Sequence, residues 1–405
     1  MLYPHQIQSK EFLLKTKRAI LADEPRVGKT LPTAAAAMEH LPALIICPAI
    51  VKNVWKDALE NLGFTGEIRV ITGKKQASEV LCDGITIINY DILGSLSERP
   101  KFNTMVLDES HRIKSHTTIR TKAALKLMKR IPRVYALSGT PIPNRPIELW
   151  PLLHGLGVYR GGWYDFGVRY AKLWTAPWGL DTSGSSNLPE LRAMIQPHTL
   201  RRTKAEIFTN YQQPITSLVT FDLPIDKREQ SFEAEALIDH PNPMLAFEGL
   251  SEVMKEAGLR KVKPSAEFIE SKLMNEPVIV FAHHKEVVAR LAELLKAHNP
   301  SIITGDTPSS SRTQQIQDFQ SGKTRLFIGN LAACQEGIDL SAADTVIFVE
   351  ATWQTSALEQ ASSRVENIKK EGIAPLIYLL TIANSLDHTV LAKVLKKKNI
   401  INQII

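Results

Sequence analysis

Two short stretches of this 405-residue chain carry residue types that can bind and cleave a phosphate anhydride. Gly28, Lys29 and Thr30 follow a short apolar run and precede a helical pattern. At such a junction, backbone N–H groups and the helix N-terminus bind phosphate, the lysine neutralises charge and the threonine hydroxyl ligates magnesium. The full pattern begins with a glycine where Asp23 stands, and the match taken alone also fits an ordinary helix cap.

The second stretch is the carboxylate pair Asp108 and Glu109, directly after the apolar run 104–107. Acid pairs at strand ends are often only solvated loop residues. With a Gly-Lys-Thr turn upstream, we expect Asp108 to hold magnesium through water and Glu109 to activate the attacking water. The two stretches together predict hydrolysis of a nucleoside triphosphate at the carboxyl edge of a parallel sheet.

The elements around these residues alternate between apolar runs and helical patterns. Because the runs are almost wholly apolar, they predict parallel strands covered on both faces. The predicted strands of the first 150 residues are 19–21, 43–47, 85–89, 104–107 and 134–138, with helices at 29–41 and 121–130. Residues 261–405 return to the alternation, with predicted strands at 278–282, 301–304, 325–329, 345–349 and 375–380. Two similar α/β lobes are therefore expected.

Residues 151–260 differ from both ends because clear strand alternation is missing. Beyond the polar loop 181–187, most of this stretch looks helical. Four tryptophans lie close together near its start: Trp150, Trp163, Trp174 and Trp178. One interpretation of this cluster is a small helical core, and the other is a wedge or stacking surface at a DNA junction.

The composition bounds the class of protein. Hydrophobic residues make up 44% and charged residues 22%, as in soluble globular proteins, and a formal net charge of +7 favours a polyanionic partner. Cys47, Cys82 and Cys334 are far apart, so the sequence predicts neither a disulfide framework nor a zinc site, and a reducing, cytoplasmic setting is expected. The sequence has neither a signal peptide nor a run of about 18 apolar residues, so we expect no membrane span.

Ordered motifs along nearly the whole chain resemble those of Swi/Snf-type superfamily 2 helicase-like ATPases, and of the annealing-helicase subgroup in particular. In chain order they are YPHQ (3–6), DEPRVGKT (23–30), LIICPAIVKNVWKDAL (44–59), ITIINYDIL (85–93), DESH (108–111), ALSGTPIPNRPIELW (136–150), LRRTK (200–204), VIVFAHHKEVV (278–288), ITGDTPSSSR (303–312), GIDLSAADTVIFVEATW (337–353) and QASSRVENIKK (360–370). The resemblance implies an α/β fold with two RecA-like P-loop NTPase lobes, 1–150 and 261–405, joined by a helical insertion and linker at 151–260.

The resemblance also implies ATP and Mg²⁺ as ligands and assigns roles to residues. Gln6 is expected to recognise the edge of the adenine base. The segment from Ser138 to Thr140 is expected to couple the state of the bound nucleotide to the binding of DNA. The expected catalytic residues are Lys29, Asp108, Glu109 and Arg364, and the expected metal ligands are Thr30 and Asp108. The nucleotide-binding set is His5, Gln6, Asp23, Gly28, Lys29, Thr30, Gly337, Asp339 and Arg364. The DNA-binding set is Lys52, Asn53, Thr140, Asn144, His283, Thr304 and Gly305, with Trp55 also expected near the DNA backbone.

Two departures from the family pattern stand out. Pro25 and Arg26 occupy positions where the family usually has Met and Gly, so Arg26 either crowds the loop tip or adds a positive charge near the nucleotide. Three residues after Arg364, Asn367 stands where the family has a second arginine that reaches the γ-phosphate. Either ATP turnover is slow, or another positive group replaces this second arginine, such as the lysine at 369 or 370. A lysine ammonium is a point charge, however, and cannot form the two parallel hydrogen bonds of a guanidinium.

The expected function is an ATP-dependent translocase or remodeller of double-stranded or branched DNA, with ATP hydrolysed between the two lobes. The alternatives are a strand-separating DNA or RNA helicase and an ATP-binding DNA clamp with weak hydrolysis. His283 and His284 are adjacent, but no further ligand is recognisable in the sequence, so we expect a polar strand end there and not a metal site. We also expect no reader domain in so short a chain. We therefore expect a monomer of bacterial or viral origin that acts alone or through a recruiting protein.

Overall fold

The computed structural model describes residues 2–78, 83–96, 101–139, 145–176, 179–225, 243–334, 339–350 and 374–391. The chain divides into two compact units. The described residues of Met1–Thr175 and Leu180–Ile207 belong to the first unit, and those of Phe208–Asn399 to the second. The predicted domain limits at residues 150 and 260 stay a prediction.

Up to residue 150, strands and helices follow each other as the alternating pattern predicts, and the first unit continues to residue 207 mainly with short helices. The strands are β1 (Arg18–Leu21), β2 (Ala43–Cys47), β3 (Ile68–Val70), β4 (Ile85–Asn89), β5 (Thr104–Leu107), β6 (Arg133–Leu137), β7 (Trp174–Ala176), β8 (Gly179–Asp181) and β9 (Thr199–Leu200). The helices are α1 (Pro4–Thr16), α2 (Thr30–Met38), α3 (Lys52–Asn61), α4 (Ile119–Met128), α5 (Trp150–Leu156), α6 (Trp163–Tyr170), α7 (Leu188–Ile195) and α8 (Lys204–Ile207).

From residue 208 onward, the described strands are β10 (Ile215–Phe221), β11 (Val278–Ala282), β12 (Ser301–Ile303), β13 (Leu326–Asn330), β14 (Thr345–Phe348) and β15 (Leu376–Ile382). The described helices are α9 (Pro243–Leu273), α10 (Lys285–Leu294), α11 (Ser309–Gln320) and α12 (Leu331–Cys334). Among the described residues, no helix combines the length and apolar character that a membrane crossing needs.

In the first unit, a seven-stranded sheet has the order β3-β4-β2-β5-β6-β1-β9 in the described part of the chain, and every neighbouring pair is parallel. Side chains alternate between the faces of a strand. Ile20 of β1 therefore packs with α4 to α7 on one face, whereas Ala19 and Leu21 pack with α1 to α3 on the other. Burial on both faces explains why the strands of this sheet are almost wholly apolar.

In the second unit, the described strands form a parallel sheet of order β10-β15-β14-β11-β13-β12. One face packs against α11 and α12 through Phe319 and Leu331, and the other against α9 and α10 through Ile269 and Leu291. The predicted fold class, parallel α/β sheets with helices on both faces, is therefore confirmed. Beyond the loop 181–187, where the sequence predicts mostly helix, the described residues also contain β10, a seven-residue strand at the edge of the described sheet.

Candidate functional site

The candidate site of the first unit lies where three neighbouring strands end. β5, β6 and β1 are adjacent and parallel, so the loops that follow them leave the sheet at the same edge. These loops carry Asp108 and Glu109, Ser138 and Gly139, and the phosphate loop, defined here as residues 23–29. The carboxyl edge of a parallel sheet is where ligands bind in open α/β folds.

The phosphate loop contains two residues in the left-handed backbone conformation, Arg26 with φ 70° and Gly28 with φ 87°. Left-handed turns among right-handed residues gather backbone N–H groups into a concave anion site. Glycine is favoured at Gly28 because a side chain is strained at φ 87°, and a Cβ atom there would lie 2.7 Å from Nε2 of Gln6, which would have to shift. The loop leads into α2, which begins at Thr30, so the first-turn N–H groups of that helix also point at the loop.

Lys29 places its ammonium group inside this loop. Its Nζ donates hydrogen bonds to the backbone carbonyls of Asp23 at 2.7 Å and Glu24 at 3.1 Å. Burial lowers the pKa of Lys29, while the charges of Glu109, Asp23 and Asp108 act in the opposite direction. The lysine and the carboxylate pair that the sequence predicted to cooperate are therefore close enough to interact electrostatically.

Asp108 is held by hydrogen bonds at both carboxylate oxygens. Trp55 Nε1 donates to Oδ2 at 2.8 Å, and the backbone N–H of Glu109 donates to Oδ1 at 3.0 Å. Burial, followed by the neighbouring charge of Glu109, raises the pKa of Asp108 to about 7. Trp55, expected near the DNA backbone, is only 1% exposed and its indole N–H serves this carboxylate, so in this conformation the side chain is not available for direct contact with DNA.

Glu109 itself adopts a left-handed backbone conformation, with φ 49° and ψ 54°, and is followed by a 3-10 helix over Ser110–Ile113. His111 connects this segment to the next loop, because its Nδ1 lies 3.4 Å from Glu109 Oε2 and 3.1 Å from Ser138 Oγ. Gly139 in turn approaches the phosphate loop so closely that a Cβ atom there would lie 2.8 Å from Pro25 Cγ. The three loops thus contact one another in series.

This arrangement fits a magnesium-bound triphosphate. Two adjacent carboxylates lie in a partly buried position where Asp108 resists ionisation, and a divalent cation would stabilise its charged form. Thr30, at the start of α2, is the residue on the loop side that would ligate the same ion. The concave N–H groups around Gly28 suit the phosphate oxygens.

The N-terminus of α1 is docked on the phosphate loop. Gln6 is buried; its Oε1 accepts from the Tyr3 N–H at 3.0 Å and its Nε2 donates to the Gly28 carbonyl at 3.2 Å. His5 Nε2 lies 3.1 Å from the carbonyl oxygen of Val27. Both residues of the predicted nucleotide set therefore lie beside the phosphate loop, and adenine recognition by Gln6 stays a prediction.

Sequence reasoning gave no role to Arg202, although this residue contacts the site directly. Its Nη2 lies 2.5 Å from Oδ2 of Asp23, the predicted nucleotide-binding residue, whose carboxylate is almost completely buried. The signal in the sequence was the LRRTK match, but the contact arises only because β9 pairs with β1 across 179 residues of chain.

The predicted DNA-binding residues of the first unit differ in their exposure to solvent. Lys52 is buried and its Nζ donates to the carbonyl of Ile71 at 2.5 Å, so in this conformation its charge points inward and not toward a DNA phosphate. Asn53 is exposed. Thr140 and Asn144 lie outside the described residues.

In the second unit, His283 and His284 follow β11 and are joined to Glu350. Oε2 of Glu350 accepts from the backbone N–H groups of both histidines, at 2.8 and 2.9 Å, and Oε1 lies 2.6 Å from His284 Nδ1. The sequence showed no carboxylate near this pair, whereas the structure places the Glu350 carboxylate against both histidines. Even so, no group of three His, Cys, Asp or Glu side chains in the described part of the chain is arranged to hold a metal.

Half-buried Thr304 and exposed Gly305 follow β12, and Arg312 holds the turn that they begin. The Arg312 guanidinium donates to the carbonyls of Thr304 and Thr307 at 2.9 Å each, and the Thr304 N–H donates to Thr307 Oγ1 at 2.9 Å. Asp339 is exposed and accepts a hydrogen bond from the Ser341 N–H. Gly337, Arg364 and Asn367 lie outside the described residues.

Comparisons with known proteins identify relatives of the whole chain. The SNF2-related domain matches residues 5–265, and the helicase conserved C-terminal domain matches residues 260–369. The SWI/SNF-related matrix-associated actin-dependent regulator of chromatin subfamily A-like protein 1 of Xenopus laevis is 31% identical over 415 residues, which cover 96% of this chain and 42% of that protein. The DNA annealing helicase and endonuclease ZRANB3 of Mus musculus is 28% identical over 428 residues, covering 98% of this chain and 40% of that protein.

The chain therefore spans less than half the length of these two relatives. Among solved structures, the Sulfolobus solfataricus SWI2/SNF2 ATPase core in complex with dsDNA is similar with a TM-score of 0.48 and 21% identity, covering 100% of this chain and 93% of that one. A similarity at that score adds nothing to the assignment.

Proposed function

The chain belongs to the SNF2-related domain family, and from this premise we propose that it is an ATP-driven motor that moves along or remodels double-stranded DNA. The observation that carries the proposal is the meeting of Lys29, Asp108 and Glu109 at the carboxyl edge of one parallel sheet. A phosphate-binding lysine beside an acid pair is the minimal set for hydrolysing a nucleoside triphosphate.

The phosphate loop binds the triphosphate in this proposal. The N–H groups around Gly28 and the first turn of α2 receive phosphate oxygens, and Lys29 exchanges its two carbonyl partners for phosphate. Gln6, already bonded to the Gly28 carbonyl, turns its amide toward the adenine edge. His5 and Asp23 hold the shape of the loop around these contacts.

Hydrolysis depends on the acid pair. Asp108, oriented by Trp55, and Thr30 would hold a magnesium ion, which would supply positive charge against the negative charge that develops on the phosphate oxygens. Glu109 accepts the proton of the attacking water. Gly337, Asp339 and Arg364 complete the site in this proposal, with Arg364 as the arginine that stabilises the transition state.

Contacts with DNA are proposed to be mainly to phosphate, through Asn53, Thr140, Asn144, His283, Thr304 and Gly305. A net charge of +7 supports a polyanionic partner. Binding should therefore tolerate any sequence and weaken steeply with salt. The names of the relatives describe a DNA annealing helicase and a regulator of chromatin, which supports DNA as the substrate. We also propose a cytoplasmic monomer that acts alone or through a recruiting protein.

The test is ATP hydrolysis measured side by side with duplex DNA, forked DNA, single-stranded DNA and RNA. We expect duplex or forked DNA to stimulate the rate most. Lys29→Ala should abolish the stimulated rate because the triphosphate loses its countercharge. Stimulation by RNA or single strands alone would favour a strand-separating helicase, and full activity of Lys29→Ala would place the site elsewhere.

One observation favours a second candidate, a DNA clamp that binds ATP but hydrolyses it slowly. Asn367 stands where the family carries an arginine, and an arginine at such a position accelerates hydrolysis by about 10³–10⁵. If the missing charge limits turnover, Asn367→Arg should raise the DNA-stimulated rate. An unchanged rate with Asn367→Arg would remove the support for the clamp.

A further inference from the structure

The chain segment after β9 runs beside the phosphate loop as an extension of the sheet. β9 pairs in parallel with the end of β1, and the ladder continues beyond both strands. The Ala22 N–H donates to the Leu200 carbonyl at 2.8 Å, and the Glu24 N–H donates to the Arg202 carbonyl at 3.1 Å. The backbone of residues 200–202 therefore fixes the path of the chain as it enters the phosphate loop.

Arg202 adds a side-chain contact to this ladder. Its backbone N–H donates to Asp23 Oδ1 at 2.9 Å, its Nε to the same oxygen at 3.2 Å, and its Nη2 to Oδ2 at 2.5 Å. Asp23 is only 1% exposed, and a buried carboxylate is stable only when it is paired. Because the Asp23 carbonyl also accepts from Lys29, this contact bears on the position of the phosphate-binding lysine.

The same guanidinium reaches α1. Nη1 donates to the His5 carbonyl at 2.8 Å, and Nη2 donates to Ser9 Oγ at 2.5 Å. A flat, five-donor guanidinium can bond to the loop and to the helix at once, whereas a lysine ammonium acts as a single point. Since Gln6 lies between His5 and Ser9 on α1, Arg202 connects the part of α1 that is expected to meet the adenine base to the loop that is expected to bind the phosphates.

We propose that Arg202 is a positioning residue that sets the placement of α1 relative to the phosphate loop, and thereby the preference of the site for adenine over other bases. The inference rests on the proposed function, because it takes Gln6 as the residue that meets the base. The contacts of Arg202 lie on the loop and on α1, so binding and base preference should change more than the rate of the chemical step.

The test is the substitution Arg202→Lys, which keeps the positive charge but removes the planar guanidinium that bonds to the loop and to α1 at once. Dissociation constants for ADP and GDP are measured by displacement of a fluorescent ADP analogue, and KM and kcat are measured for ATP and GTP. We expect the affinity for ADP to fall about tenfold, as for loss of charge-assisted hydrogen bonds, and the affinity for GDP to fall by a smaller factor, because both nucleotides use the phosphate loop and only ADP uses Gln6. The KM for ATP should rise by a similar factor, whereas kcat should stay within about twofold.

A matched control exists on the first unit. Arg169 makes a bidentate pair with Glu190, its Nε and Nη2 donating at 2.7 and 2.8 Å, on helices α6 and α7. Arg169→Lys makes the same chemical change at an exposed pair, and we expect wild-type affinities and base preference. A second comparison uses Gln6→Ala: in that background Arg202→Lys should cause no further loss of base preference, because its effect acts through Gln6.

An unchanged ratio of ADP to GDP affinity in Arg202→Lys overturns the inference, as does an equal loss for both nucleotides with a lowered melting temperature. If Arg202→Lys does not fold, Ser9→Ala removes one contact of the guanidinium, and base preference must still fall, by a smaller factor. If the wild-type chain binds neither nucleotide, the proposed function fails as well. Wild-type binding of ADP with an unaltered preference in Arg202→Lys overturns only the role of Arg202.

Discussion

Two residues of the candidate site hold backbone conformations that disfavour side chains. Arg26 has φ 70° in the phosphate loop, and Glu109 has φ 49° directly after Asp108. A left-handed conformation costs an ordinary residue about 1–2 kcal/mol. At Glu109 the conformation orients the carboxylate that the proposed function uses as the base, and such strain is typical of active sites. At Arg26 the family usually has glycine, which adopts this conformation without cost.

The strain at Arg26 can be measured. Arg26→Gly should raise the free energy of unfolding by about 1 kcal/mol, because glycine relieves the left-handed penalty. Arg26→Ala removes the same charge but keeps a Cβ atom, so it should be less stable than Arg26→Gly by about the same amount. Urea denaturation of the three proteins checks this prediction.

Equal stability of the Gly and Ala variants would contradict left-handed strain at this position. The same pair also separates the two interpretations of Arg26 from the sequence. If the guanidinium adds charge near the nucleotide, both variants should bind ATP more weakly; if it crowds the loop, Arg26→Gly should bind at least as well as wild type.

The sequence located Lys29, Asp108 and Glu109 because each lies in a short local pattern next to an apolar strand. It assigned no role to Arg202 and did not predict the contact of Trp55 with Asp108. Arg202 is 179 positions from its partner Asp23, and Trp55 is 53 positions from Asp108. A local pattern carries no information about such pairs. The position of Trp55 inside a helix start was compatible with exposure, and only the packing of α3 on the sheet shows that it is buried.

At the scale of elements, strands buried on both faces were predicted well. Predicted strands 43–47, 85–89, 104–107 and 278–282 coincide with β2, β4, β5 and β11, since each is mostly apolar and buried along its whole length. β10 was missed because it is an edge strand with an exposed face, so Thr216 and Thr220 interrupt its apolar residues. β9 was missed because two residues form no pattern at all, although its position beside β1 matters for the site.

A buried ion pair holds helix α9 to the end of β15 in the second unit. Lys261 and Asp387 are each about 1% exposed and form an ion pair, and Lys261 Nζ also donates to the Leu380 carbonyl at 2.9 Å. Removing one partner leaves an uncompensated buried charge. Lys261→Met should therefore lower the free energy of unfolding by about 3–5 kcal/mol.

The double variant Lys261→Met with Asp387→Asn tests the cause of that loss. The asparagine is neutral and can still accept from the Ile382 N–H, so stability should partly recover relative to Lys261→Met alone. Denaturation of both variants gives the comparison. A double variant that is less stable than Lys261→Met would show that the cost comes from lost packing and not from the unpaired carboxylate.

At the scale of the whole molecule, the proposed motor needs residues from both ends of the sequence. The side chains proposed to bind and cleave the nucleotide, between His5 and Glu109 in the sequence, lie in the first unit. Asp339 and Arg364, which the proposal adds to the same site, fall in the range that matches the helicase conserved C-terminal domain. Binding and hydrolysis of ATP alone would be consistent with a clamp. Movement is what distinguishes a motor, so it has to be observed directly.

The most direct measurement is displacement of a third strand from a DNA triplex placed on a duplex track. The wild-type chain with ATP and Mg²⁺ should release the third strand, because an advancing motor removes it without separating the duplex. Glu109→Gln should bind ATP and DNA but release none, since the attacking water loses its base. Release that is as fast with Glu109→Gln, or no release while duplex DNA stimulates wild-type ATP hydrolysis, would contradict ATP-driven movement along duplex DNA.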